Sequence, residues 1–154
     1  MSHIAKITLD EKMVPVRNFI VENERTVAIH DLLAENSFQL HGKEGPYHVH
    51  LGLRDHKLVM EVACLNKGED LDIVQVPLRS FRTLIKDYFI ICDSYYEAVN
   101  GNNPAKIEAI DMGRRAIHNE ASELLQERLA DKVICDHDTA RRLFTLLCVL
   151  QFRG

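Results

Sequence analysis

The sequence predicts an α+β fold: an antiparallel β-meander of about four to five strands with helices packed on one face, and a C-terminal half that is all helical. Three observations carry this. Between Phe38 and Val76 apolar and polar residues alternate with a period of two, interrupted by short runs rich in Gly, Asp and Asn. After Pro77 the apolar residues recur at helical spacing instead, and the period does not change back. The 154 residues hold no internal repeat, linker or low-complexity tract, which suits one domain over 1–154, with 1–77 mainly sheet plus one helix and 78–154 helical.

Taken in order, Ile4–Leu9 alternates as a short strand, Asp10-Glu11-Lys12 is a turn, and Pro15 opposes an early helix. Val27, Ala28, Ile29, Leu32 and Leu33 place a helix over 22–35, with Asn36 suited to end it. The meander follows as 38–41, 47–53, 58–64 and 71–76. Its breaks are Gly42-Lys43-Glu44-Gly45, Arg54-Asp55-His56-Lys57 and Asn66-Lys67-Gly68-Glu69-Asp70. The first two loops set Leu40 opposite Tyr47 and Leu53 opposite Leu58, so that the apolar sets, Leu71 and Ile73 included, share one face. Helices are expected over 78–99, 104–129 and 138–152, jointed at Gly101-Asn102-Asn103 and Asp131-Lys132, with Pro104 suited to a first turn.

Composition narrows the function. A net charge of −4 and a pI near 6.0 give no global attraction to nucleic acid or an anionic membrane. Trp is absent, so a base-stacking platform is not indicated. No apolar run approaches the ~20 residues that cross a bilayer, and the first residues lack the apolar segment of a signal peptide, which points to the cytoplasm. Cys64, Cys92, Cys135 and Cys148 are scattered without a Cys-x-x-Cys pair, arguing against a disulfide framework or zinc ribbon and for small core residues in a reducing compartment. There is no Gly-x-Ser-x-Gly elbow, phosphate-binding glycine loop or dinucleotide fingerprint, and no cofactor is expected.

Two constellations could carry chemistry. On the helix over 104–129, Ile107, Ile110, Gly113, Ile117, Ala121, Leu124 and Leu125 form an apolar stripe that Arg114 interrupts, with Asp111, Arg115 and His118 at its border. An arginine aimed at a core needs a negative partner. Asp111 or Asp93 is the expected one, which makes the group structural. The alternative is an anion site in which Arg114, Arg115 and His118 hold a phosphate or carboxylate. Three residues separate Arg114 from His118, fewer than the four to six usual in the Arg…His motif of HEPN-type nucleases. The mid-helix Gly113 implies close helix packing or a close ligand.

The second constellation lies on the sheet. His48 and His50 share a face, opposite Ala63 and Glu61, with Asp72 beyond and His41 diagonal to His48. The opening resembles a cupin motif, but Arg54 and Asp55 stand where its glutamate belongs, so a solvated, unmetallated patch is expected. The helix over 138–152 is apolar nearly all round, and that over 78–99 is broadly so. Such helices are central or covered by a partner. A homodimer through the Val149 and Phe152 region is expected, with a different protein partner next.

Lys86-Asp87-Tyr88-Phe89, Asp93-Ser94-Tyr95-Tyr96-Glu97-Ala98, Ile107-Glu108-Ala109-Ile110-Asp111-Met112-Gly113-Arg114-Arg115, His118-Asn119-Glu120 and Asp138-Thr139-Ala140-Arg141-Arg142-Leu143-Phe144 occur in this order. Together they resemble the bacterial uncharacterised protein family 0262 over nearly the whole chain. The resemblance implies a small bacterial cytoplasmic protein and places no catalytic residue. The leading expectation is thus a non-enzymatic regulatory or protein-interaction protein; the alternative is a phosphate- or carboxylate-metabolite binder or phosphoester hydrolase centred on Arg114, Arg115 and His118.

Overall fold

A computed structural model describes residues 2–10, 19–66 and 71–152. The expected turn at Glu11-Lys12, Pro15 and the 67–70 part of the third loop lie outside the described residues. The elements are β1 (Ile4–Leu9), α1 (Phe19–Ala34), β2 (Phe38–Leu40), β3 (Tyr47–Arg54), β4 (Lys57–Cys64), β5 (Leu71–Pro77), a single 3-10 turn (Arg79–Phe81), α2 (Arg82–Asn100), α3 (Pro104–Leu129), β6 (Val133–Cys135) and α4 (His137–Gln151). The α+β class stands, with one face of a four-stranded sheet against helices.

The strands of that sheet lie in the order β1-β3-β4-β5, and β2 pairs with β6 in a separate two-stranded ladder. The β3–β4 register is the expected one, with Leu53 opposite Leu58, His50 opposite Glu61 and His48 opposite Ala63. Its turn is tight, with Asp55 and His56 at positive φ of 53° and 61°, the conformation a two-residue hairpin demands.

Three expectations fail. Leu40 does not face Tyr47 across a hairpin; it pairs with Val133 of β6. A strand has two edges, and those of β3 are taken by β4 and by β1, which joins it in parallel from Ile4↔Tyr47 to Leu9↔Leu51. The Tyr47 hydroxyl instead closes the loop without a ladder, accepting from Leu40 N at 3.0 Å and donating to Lys43 O at 2.5 Å. The C-terminal half is not all helical, because Val133-Ile134-Cys135, read as part of a joint, is a strand. In β5 it is Val74 and Val76 that are buried, while Leu71 and Ile73 are 53% and 46% exposed. Asp72 thus sits on the core-side face and ion-pairs with Lys43 at 2.7 Å.

Helices α3 and α4 begin where side chains can receive free N–H groups. Asn103 accepts from Lys106 N at 3.2 Å with Pro104 next, and Asp136 accepts from Thr139 N at 2.9 Å. Helix α4 is the centre of the molecule: it touches α1, α2, α3 and β3, and every residue from Leu143 to Leu150 is buried. Its all-round apolarity is therefore answered within the chain. Val149, expected at a dimer surface, is 1% exposed, and Phe152 packs on Phe89 with ring centroids 5.6 Å apart. Gly113 is explained by packing, since a Cβ there would lie 3.1 Å from Ile91 Cδ1 on α2.

Candidate functional site

The buried stripe of α1 is Val21, Glu24, Ala28 and Leu32, at spacings of three and four, so helix geometry itself sends the Glu24 carboxylate inward. Opposite, α3 buries His118, Ala121, Ser122, Leu125 and Leu129 and holds Arg114 one turn before His118. The two charges meet: Arg114 NH2 lies 2.9 Å from Glu24 Oε1 and 3.2 Å from Oε2. This corrects the expected partner, which is neither Asp111 nor Asp93. Asp111 pairs with the exposed Arg115 at 2.9 Å, four residues on along the same helix. Arg115 therefore does not join Arg114 and His118.

Helix α2 supplies the rest of the Glu24 shell. The Tyr88 hydroxyl donates to Glu24 Oε1, and so does the Cys92 thiol at 3.3 Å. Tyr95 lies under the Arg114 guanidinium, 5.5 Å from its ring centroid. With a charge-assisted bond and two further donors, a carboxylate side chain only 8% exposed is compensated as a buried ion must be. Burial and the Glu24 charge push the Tyr88 hydroxyl far up, and the same two causes raise the Cys92 thiol to about 12. Desolvation lowers Arg114, but the Glu24 charge together with Tyr88, Cys92 and Tyr96 outweighs it, and the guanidinium is held above its ordinary value.

His118 is not at a border but in the core, 7% exposed, stacked on Tyr88 at 5.3 Å and edge-on to Phe144 at 6.5 Å. Burial first, then the charges of Arg114 and Arg141, hold it down at about 4, so it is neutral at pH 7. Among the described residues its Nε2 has no hydrogen-bond partner. Arg114 and His118 also line a cleft of about 60 Å³ with Glu24 and Asp31 from α1 and Arg141 and Arg142 from α4. Sequence reasoning missed Glu24, Tyr88, Arg141 and Arg142. For Glu24 a signal existed: a glutamate in step with Val21, Ala28 and Leu32.

The sheet cluster is of another kind. The Thr8 hydroxyl lies between His48 Nε2, at 3.0 Å, and His50 Nδ1, at 2.7 Å. Burial, Lys6 and His50 lower the His48 pKa. His41 is not diagonal to His48; it lies beside the β2–β6 ladder, with Nε2 2.9 Å from Ala130 O. Asp72, facing the other side, does not join them either. Among the described residues no group of three or more His, Cys, Asp or Glu is placed to hold a metal ion, and no helix is long and apolar enough to cross a membrane.

Comparison with known proteins agrees with the resemblance noted above. The UPF0262 protein of Rhodospirillum rubrum is 51% identical over 154 residues, covering 99% of this chain and 94% of its own. That of Paramagnetospirillum magneticum is 51% identical over 154 residues, with 98% and 96% covered, and that of Ruegeria pomeroyi is 49% identical over 160, with 100% and 99% covered. No solved structure matches. The match to the family described as "Uncharacterised protein family (UPF0262)" runs over residues 1–153, and the chain belongs to that family.

Proposed function

We propose that this chain is a non-enzymatic cytoplasmic regulatory or interaction protein, a single domain that works by associating with protein, in the first instance with a second copy of itself. The observation that carries this is the apolar corner of the open sheet face, where Leu71 and Ile73 are 53% and 46% exposed beside half-buried Ala63. An exposed edge strand that carries large aliphatic side chains offers a template on which another chain can pair. The interface accordingly moves from the Val149 region, which the chain covers itself, to β5. Support for the non-enzymatic part comes from the titratable groups. The Cys92 and Cys135 thiols are raised to about 12, mainly by burial, and His118 is depressed to about 4. An acid, base or nucleophile at work near neutrality needs the opposite tuning.

Light scattering tests the reading. A dimer at about 50 μM is expected, becoming a folded monomer when Ile73→Lys places a charge in the interface. A wild-type monomer at that concentration, or a dimer indifferent to Ile73→Lys, overturns it.

A further inference from the structure

We propose that the cleft between α1, α3 and α4 binds a compact oxyanion, the carboxylate or phosphate end of a small molecule, held by Arg114, His118 and Arg142 and attracted by the charge of Arg141 beside them. Arg114 Nε, His118 Nε2 and Arg142 Nε are buried without a hydrogen bond among the described residues, and all three residues line this one cleft. Buried polar groups in folded proteins are almost always satisfied, so three orphans around one space mark a missing acceptor. Two of the three are guanidinium N–H donors, and a neutral imidazole supplies a third through Nε2 in the matching tautomer.

The charge balance points the same way. Three arginines face two carboxylates here. Glu24 is engaged by Arg114, Tyr88 and Cys92. Asp31 lies 3.5 Å from His30 Nδ1. Among the described residues Arg141 has a long contact to Asp138, at 3.9 Å, and Arg142 donates to the Glu35 carbonyl at 3.1 Å. The cleft of about 60 Å³ is several times the ~10–15 Å³ that one water needs. That space takes an oxyanion head group and excludes a whole nucleotide, whose remainder would stay in solvent. This site differs from the one expected from sequence by the loss of Arg115 and the gain of Arg142. It stands independently of any association through β5.

The groups facing His118 are Tyr88 from α2, Glu24 and Asp31 from α1, Arg114 on its own helix, and Arg141 and Arg142 from α4. Burial first, then the Arg114 and Arg141 charges, depress its titration, and an anion placed among the guanidiniums opposes the part that is due to charge. The experiment follows the His118 ring by NMR, and thermal unfolding in parallel, against inorganic phosphate and separately acetate, with ionic strength held by chloride. Expected is a rise of about one unit in the His118 pKa and a melting point several degrees higher with at least one of the anions, whichever responds naming the head group. Arg142→Gln, a change at a half-buried position, should keep the fold and weaken binding about tenfold or more; Arg141→Gln serves if it does not fold. A His118 titration and melting point unmoved by about 20 mM of either anion overturn the proposal. So does a response undiminished in a folded Arg142→Gln or Arg141→Gln protein, which places the anion elsewhere.

Discussion

Thr8, His48, His50 and Glu61 lie on the open face of the sheet, where each side chain keeps access to water. Glu24, Tyr88, Arg114 and His118 lie between helices, where the carboxylate side chain is 8% exposed and its donors reach it from α2 and α3. In the cluster between the helices titrations are strongly displaced, the Tyr88 hydroxyl far up and His118 down to about 4, with burial the first cause of each. The difference is desolvation. On the sheet a lost contact is replaced by water, whereas between the helices a removed partner leaves an uncompensated charge.

The largest effect should follow Arg114→Ala, which strands the Glu24 carboxylate and should cost about 3–5 kcal/mol by denaturant unfolding. Arg114→Lys should cost less than the loss of a two-nitrogen fork would imply. Both close contacts come from the one terminal nitrogen, NH2, which an ammonium can partly replace.

Acid provides the next test. His118 titrates near 4 in the folded chain and near its ordinary 6.5 when unfolded. Between these values the unfolded chain binds the extra proton, so stability is lost as pH falls from 6.5 to 4, by on the order of 3 kcal/mol. His118→Phe, which keeps the ring between Tyr88 and Phe144, should flatten that part of the pH profile; an unchanged slope would show that the loss has another source. On the sheet, His50→Ala and Glu61→Ala should each move stability by less than about 0.5 kcal/mol. Near-stoichiometric zinc in untagged protein, lost on His50→Ala, would break the contrast by showing that the open cluster is a built site.

Much of this was legible in the sequence where local pattern decides. The β3–β4 register, the three C-terminal helices and the need of Arg114 for a negative partner follow from alternation, helical spacing and the cost of a buried charge. What was not legible depends on competition between distant segments. Phe38–Leu40 alternates equally well for β3 or for β6, and only the occupation of β3 by β1 decides between them. Leu71 and Ile73 were as fit for the core as Val74 and Val76, and the pairing with β4 settled the side. The apolar breadth of α4 fitted a core helix or an interface equally, because sequence does not count the elements packed around it. The signal of Glu24 is faint because α1 also carries Val27 and Leu33, which are 47% and 43% exposed and blur the stripe.

The most direct test of the account is a double-mutant cycle on Glu24 and Arg114 with urea unfolding, using Glu24→Leu and Arg114→Met. If the pair is internal, each single change leaves a charge unpaired and the double change removes both. The double mutant should then be more stable than the sum of the two losses predicts, by at least about 2 kcal/mol of coupling. Additive losses within about 0.5 kcal/mol would contradict an internal pair and return both residues to the solvent.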